Sequence, residues 1–107
     1  MLSIVIKTQF TAIHHWPAAP DDVAYLRGPH RHLFYVTMKW GVTHEDRDME
    51  FIQTKNNVDS FIRINWHNQY IGFKSCENLA ITLANKFDAD FVSVFEDNEN
   101  GAEYVRI

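Results

Sequence analysis

The sequence has a single cysteine, Cys76, among its 107 residues, so no disulfide can form within the chain. This scarcity suits a reducing compartment. No apolar run approaches the roughly 20 residues of a membrane-spanning helix. The first residues, MLSIVIKTQF, have neither the cationic segment nor the small-residue cleavage site of a signal peptide. We therefore expect a soluble, cytoplasmic protein with no membrane partner.

An excess of basic residues is also missing. The formal net charge is −4 and the charges are spread along the chain, so the basic footprint of a nucleic-acid-binding protein is absent. The apolar share of 46% and the charged share of 22% lie near globular averages. Length and composition together predict one domain over residues 1–107, without a nucleic-acid partner.

Side-chain periodicity predicts two strands, two helices and two further strands. The predicted elements are strands over 2–14 and 30–42, a helix over 50–66, a second helix capped by Ser75, and strands over 90–96 and 102–107. The segments 15–29 and 67–74 are predicted loops, the first rich in proline and other helix breakers. This order favours an α+β fold in which a four-stranded antiparallel sheet carries both helices on one face.

Histidine is the residue type that stands out, with six copies. His30 and His32 are two residues apart on a predicted strand, so their imidazoles point to the same side. His14 ends the preceding strand, which lies beside them if the loop over 15–29 folds back. Three imidazoles can then hold one zinc ion and leave a fourth position open, and no cysteine is nearby to close the site. The alternative is a pair of surface histidines at a strand end.

Five segments, taken in order, resemble motifs of the 6-pyruvoyl- and 6-carboxy-tetrahydropterin synthase family. They are Phe10-Thr11-Ala12-Ile13-His14 (F-x-A-x-H), Pro29-His30-Arg31-His32 (H-G-H), Asp48-Met49-Glu50-Phe51 with Lys55 (M-V-M-D-F-x-x-L-K), Ser75-Cys76-Glu77-Asn78-Leu79-Ala80 (P-T-S-E-N-L-A) and Phe95-Glu96-Asp97, at the position of the family's glutamate. The resemblance covers nearly the whole chain. It implies a T-fold whose subunits close into a barrel, as a trimer or hexamer with active sites between subunits.

The resemblance also implies a set of site residues. The zinc ligands are His14, His30 and His32, and Glu96 binds the pterin ring. Ser75 and Cys76 occupy the substrate-binding positions at the start of the second helix. Glu77 is an alternative ring-binding carboxylate, although a glutamate in the first turn of a helix is more often a capping charge. Cys76 also fits a plain core position.

The chain departs from the family at the catalytic base. The family uses a cysteine assisted by an aspartate–histidine pair, but the loop before His30 has no cysteine. His67 lies where the catalytic histidine belongs, preceded by Trp66 instead of aspartate. His67 is therefore the candidate catalytic residue, with an ordinary surface histidine as its alternative.

Two functions follow from the resemblance. The first is a zinc-dependent lyase of the tetrahydropterin or queuosine-precursor type, which acts on dihydroneopterin triphosphate or a similar pterin. The second is a non-catalytic relative that keeps zinc and binds a purine-like or pterin-like ligand. A purely structural barrel protein is the weakest alternative, because it does not require three histidines in register.

Overall fold

Two long antiparallel strands form the centre of the sheet. In the computed structural model, which describes residues 1–106, strand β1 (Ser3–His14) pairs along its whole length with strand β2 (His30–Gly41). The loop between them contains a 3-10 helix over Asp21–Arg27. Because the loop folds back, the last residue of β1 lies opposite the first residue of β2, as the sequence predicted.

The last hairpin extends the sheet beyond β2. Strand β4 (Phe91–Glu96) pairs with β2, and strand β5 (Asn100–Val105) pairs with β4, both antiparallel. The final strand was predicted over 102–107, but it begins two residues earlier and Ile107 lies outside the described residues. Asp97 and Asn98 adopt left-handed backbone angles, with φ of 53° and 58°, so the reversal needs only three residues.

A short strand, β3 (Gln69–Tyr70), was missed in the predicted loop over 67–74. It pairs parallel to the outer edge of β1, with Ala12 opposite Gln69 and Ile13 opposite Tyr70. The sheet is therefore mixed and has five strands in the order β3-β1-β2-β4-β5, instead of the predicted four antiparallel strands. Two residues are too few to show an alternating pattern in the sequence.

Helices α1 (Phe51–Asn65) and α2 (Cys76–Phe87) pack on one face of the sheet. The Ser75 side chain accepts a hydrogen bond from the backbone N–H of Asn78, which confirms the predicted N-cap. The fully buried side chains of the core come from both helices and the three central strands, and the largest are Phe10, Phe34, Val36, Met38, Val58, Leu79, Leu83, Val92 and Val94. Within residues 1–106, neither helix has the length and apolar character needed to cross a membrane.

Candidate metal centre

Three histidine side chains meet at the end of the central hairpin. His14 lies opposite His30 in the strand register, and His32 lies two residues further along β2 on the same face. One ring nitrogen from each residue lies within 4.8 Å of those of the other two. The rings approach edge to face, with centroids 4.6 to 5.4 Å apart. The structure thus brings together the three residues that the sequence singled out.

Backbone carbonyls engage the Nδ1 atoms of two of these rings. Nδ1 of His14 lies 2.7 Å from the carbonyl oxygen of Lys74, and Nδ1 of His30 lies 2.9 Å from that of Gly28. Because a carbonyl oxygen can only accept a hydrogen bond, each Nδ1 carries the proton. In the neutral ring, Nε2 is then left with a free lone pair, which is the tautomer that binds a metal through Nε2.

A carboxylate accepts the hydrogen bond from Nδ1 of the third ring, His32. Nδ1 of His32 donates to Oδ2 of Asp97 over 2.7 Å, and Oδ1 of Asp97 accepts from the backbone N–H of Leu33 at 3.2 Å. These two hydrogen bonds hold the pKa of Asp97 below its ordinary value, with His32 the larger cause. Such carboxylate–histidine pairs orient the ligands of known metal sites.

Sequence reasoning missed Asp97 as a functional residue. It was assigned only to a turn, because turn formers surround it. The available signal was its position directly after Glu96, which makes two adjacent carboxylates at the end of a strand. Lys74 and Gly28 contribute through backbone oxygens, which have no sequence signature.

Glu96 lies against the histidines. Its Oε2 atom is 2.9 Å from Nε2 of His14 and 3.7 Å from Nε2 of His32. The first distance is short enough for an ion pair, but the contact does not have the geometry of a hydrogen bond. Nε2 of His14 is therefore a buried polar atom without a hydrogen-bond partner, and it is the only such side-chain atom within residues 1–106.

The charges of this pair shift both pKa values. Burial lowers the pKa of His14, but the contacts with the Glu96 carboxylate and the Lys74 carbonyl outweigh it, so the pKa is raised overall. The contact with His14 is the main reason why the pKa of Glu96 lies below its usual range. Without a metal, the pair is thus stabilised as an ion pair.

The donor set fits a metal ion. Three imidazoles suit zinc and other transition metals, and oxygen acceptors on all three Nδ1 atoms leave the Nε2 atoms to face the centre. The unpartnered Nε2 of His14 lacks only a cation or a donor. A metal at this point would satisfy it.

A cavity of about 470 Å³ opens beside the histidines and reaches the start of α2. Its lining includes His14, His30 and Glu96, together with the predicted substrate-binding residues Ser75 and Cys76. Its volume falls within the range of small-molecule sites. The structure therefore places the predicted ligand-binding residues and two of the histidines around one space.

Aromatic side chains and a third histidine, His15, line the same cavity. Trp16 and Phe73 are 49% and 68% exposed. His15, in contrast, has both ring nitrogens engaged, because Nδ1 lies 3.1 Å from the carbonyl oxygen of Arg27 and Nε2 lies 2.7 Å from the hydroxyl of Tyr70. His15 thus supports the wall of the cavity through two hydrogen bonds.

The thiol of Cys76 is unsuited to act as a base. Burial, reinforced by the carboxylates of Glu96 and Glu77, raises the pKa of the Cys76 thiol to about 12. The thiol is therefore protonated at neutral pH, whereas a nucleophilic or basic cysteine acts as its thiolate.

The candidate catalytic residue His67 lies apart from the cavity. It follows α1, its side chain is exposed, and its Nδ1 accepts a hydrogen bond from the backbone N–H of Thr11 at 3.3 Å. It is not among the residues that line the cavity. Within one chain, the structure does not bring His67 to the three histidines.

No protein-family model matches this chain, and a search of curated proteins gives no significant match.

Proposed function

We propose that this chain is a three-histidine metalloprotein with a ligand cavity beside the metal. Within that class, it is a zinc-dependent pterin-type enzyme that resembles the 6-pyruvoyl- and 6-carboxy-tetrahydropterin synthases. Its substrate is dihydroneopterin triphosphate or a similar pterin. The observation that carries the proposal is the convergence of three imidazoles whose Nδ1 atoms are all engaged elsewhere.

The cavity suits a flat heterocycle. Trp16 and Phe73 supply apolar walls, on which a planar ring can stack. The Ser75 hydroxyl lies at the start of α2, where backbone N–H groups favour a carbonyl or an anion. A carboxylate, Glu96 or Glu77, can accept two parallel N–H bonds from a guanidine-like ring edge.

The histidines hold the metal and fix its position. When bound there, zinc supplies Lewis-acid polarisation of the side-chain oxygens of the pterin. His14, His30 and His32 reach it as neutral Nδ1–H tautomers, and Asp97 keeps the ring of His32 in place.

The proton-transfer group is proposed to come from another copy of the chain. The Cys76 thiol is protonated at neutral pH and both nitrogens of His15 are engaged. His67 lies exposed at the outer edge of β1, where a neighbouring subunit can meet it. We therefore propose a cytoplasmic homo-oligomer, a trimer or hexamer closed into a T-fold barrel, with sites between subunits.

A second candidate function is supported by the same chemistry. The raised pKa of the Cys76 thiol, together with the position of His67, leaves the cavity of a single chain without either of these two candidates as its base. A non-catalytic zinc protein that binds a purine-like or pterin-like ligand needs no such base. It uses the same metal and the same cavity.

The decisive experiment is incubation of the zinc-loaded protein with dihydroneopterin triphosphate, followed by product identification and, in parallel, calorimetric titration. Turnover supports the enzyme, and binding without turnover supports the ligand-binding protein. The His30→Ala, His32→Ala double variant is the control and should show neither. Absence of binding and of turnover in the zinc-loaded wild type would overturn both candidates.

A further inference from the structure

The side chain of Glu96 is aimed at the metal centre. Glu96 is the last residue of β4 and lies opposite Phe34 of β2, on the same face of the sheet as the histidines. Its Oε2 atom is 2.9 Å from Nε2 of His14 and 3.7 Å from Nε2 of His32. The carboxylate therefore lies against two of the three imidazole nitrogens that could bind a metal.

When the His14 ring is neutral, the two nearest atoms of this contact are both acceptors. Nδ1 of His14 donates to the carbonyl of Lys74, so neutral His14 carries a lone pair on Nε2. A carboxylate oxygen 2.9 Å from that lone pair is repelled unless a proton or a metal ion lies between them. Despite this short distance, Nε2 of His14 has no hydrogen-bond partner of acceptable geometry. A proton shared by two groups lies near the line between them, whereas a metal bound by both lies to one side of it.

The distances agree with a shared tetrahedral ion. A zinc ion with bonds of about 2.0–2.2 Å to nitrogen and oxygen separates two of its ligand atoms by roughly 3.4 Å. The separations from Oε2 of Glu96 to the two Nε2 atoms, 2.9 and 3.7 Å, fall on either side of this value. Shifts of about 0.5 Å or less in these two separations bring the carboxylate to the bonding geometry of a fourth ligand.

The backbone around Glu96 is held firmly enough to fix this placement. Glu96 pairs with Asn100 across the tight β4–β5 turn. At the next pair, a side chain on Gly101 would collide with the backbone of Val94 and Phe95. Asp97, the next residue, bonds to Nδ1 of His32. Glu96 thus lies near Nε2 of His32, and Asp97 contacts Nδ1 of the same ring.

From this geometry we infer that Glu96 is the fourth protein ligand of the metal when no substrate is bound. The inference rests on the metal site of the proposed function. It deepens that function, because the site is then closed at rest and an oxygen of the arriving ligand must displace the carboxylate. Once displaced, Glu96 is free to accept N–H bonds from the ring of the same ligand.

Cobalt(II) in place of zinc tests the inference, because its visible spectrum reports ligand number and ligand exchange. In the cobalt-loaded wild type, the spectrum should resist added azide. In Glu96→Gln, whose amide is a poor ligand, azide should shift the bands at much lower concentration. Competition with a chelator should show metal affinity at least about tenfold weaker in Glu96→Gln, the lower end of what loss of an outer-sphere partner costs.

Glu99→Gln is the matched control. Glu99 lies in the same turn and its side chain is exposed. Its replacement by glutamine removes the same charge, so this variant should behave as the wild type does. Azide binding by the cobalt-loaded wild type as readily as by Glu96→Gln would overturn the inference and leave an open three-histidine site. If Glu96→Gln fails to fold, azide binding by the cobalt-loaded wild type alone decides between a closed site and an open one. Failure of the wild type to take up cobalt or zinc at all would overturn the metal site itself, and the proposed function with it.

Discussion

Both ends of the β1–β2 hairpin carry a histidine beside carboxylates, but only one end assembles a site. At one end, 10% of the His14 side chain is exposed and its Nε2 lies 2.9 Å from Oε2 of Glu96. At the other end, Nε2 of His44 lies 3.5 Å from Oδ1 of Asp48, and 55% of its side chain is exposed. The difference shows that a histidine and a carboxylate in contact do not by themselves make a metal site.

The tautomer of the ring separates the two ends. Nδ1 of His14 faces a carbonyl and must donate, whereas Nδ1 of His44 accepts from the backbone N–H of Asp46 at 3.2 Å. Neutral His44 therefore carries its proton on Nε2, which points at Asp48. His14 has the lone pair on Nε2 and has two further imidazoles beside it. Burial, tautomer and strand register together produce the candidate metal centre.

The largest expected effect is the loss of zinc from the His14 end of the hairpin. The His30→Ala, His32→Ala double variant removes two of the three ligands, and we expect zinc to fall from about one ion per chain to none after dialysis. His44→Ala is the matched control at the other end of the hairpin and should keep the metal. Metal analysis of the purified proteins measures this, and equal zinc in the double variant and the wild type would contradict the site.

The next largest effect concerns the orientation of the His32 ring by Asp97. Asp97→Asn keeps the shape of the side chain but removes the charge that holds His32, so we expect zinc affinity to weaken by about 10- to 100-fold. Asp48→Asn makes the same change beside His44 and should leave affinity unchanged. Competition with a chelating dye measures both constants. An Asp97→Asn variant with wild-type affinity would show that the hydrogen bond to His32 does not support the metal.

The sequence was enough to select the three histidines and the order of the main elements. Strand alternation puts His30 and His32 on one side, and the breakers over 15–29 return the chain so that His14 faces them. Helical spacing and the Ser75 cap predicted the existence and the start of α2. These features depend on neighbours along the chain, which a single sequence shows.

The remaining features depend on contacts between distant segments. Strand β3 exists because Ile71 donates to the carbonyl of Ile13 and Asn68 to that of Thr11, and no periodicity reports a strand of two residues. The contact of Asp97 with His32 requires the left-handed turn after β4. The direction of the Glu96 side chain depends on β1 and β2 as well as β4. No pattern within a short stretch of sequence predicts these contacts.

A smaller effect is an opposite pH dependence with and without metal. The raised pKa of His14 stabilises the metal-free protein fully below the ordinary value of 6.5, and this stabilisation is lost as pH rises through the raised pKa. The lowered pKa of Glu96 adds stability above its ordinary value of 4.5, which is lost as pH falls through the lowered pKa. The metal-free Tm should therefore decrease as pH rises through neutrality.

Zinc reverses this trend, because protons compete with the metal for the imidazole nitrogens. The increase in Tm that zinc gives should be full at about pH 8 and disappear below about pH 6. Thermal unfolding from pH 5 to 8, with zinc and with a chelator, measures both curves. Two parallel curves would mean that the imidazoles take no part in metal binding.

The smallest expected effect is a change in tryptophan fluorescence when a ligand binds in the cavity at the His14 end. Trp16 lies in the cavity at the histidine end and is 49% exposed, while Trp40 lies toward the other end of the hairpin and is 4% exposed. A pterin that stacks on Trp16 should quench part of the tryptophan emission, because the core ring of Trp40 stays out of reach. Fluorescence titration of the zinc-loaded wild type and of Trp16→Phe, excited at the indole band, measures the change. If Trp16→Phe shows the same quenching as the wild type while calorimetry still reports binding, the ligand lies away from this wall, and the proposed stacking on Trp16 is wrong even where the metal site holds.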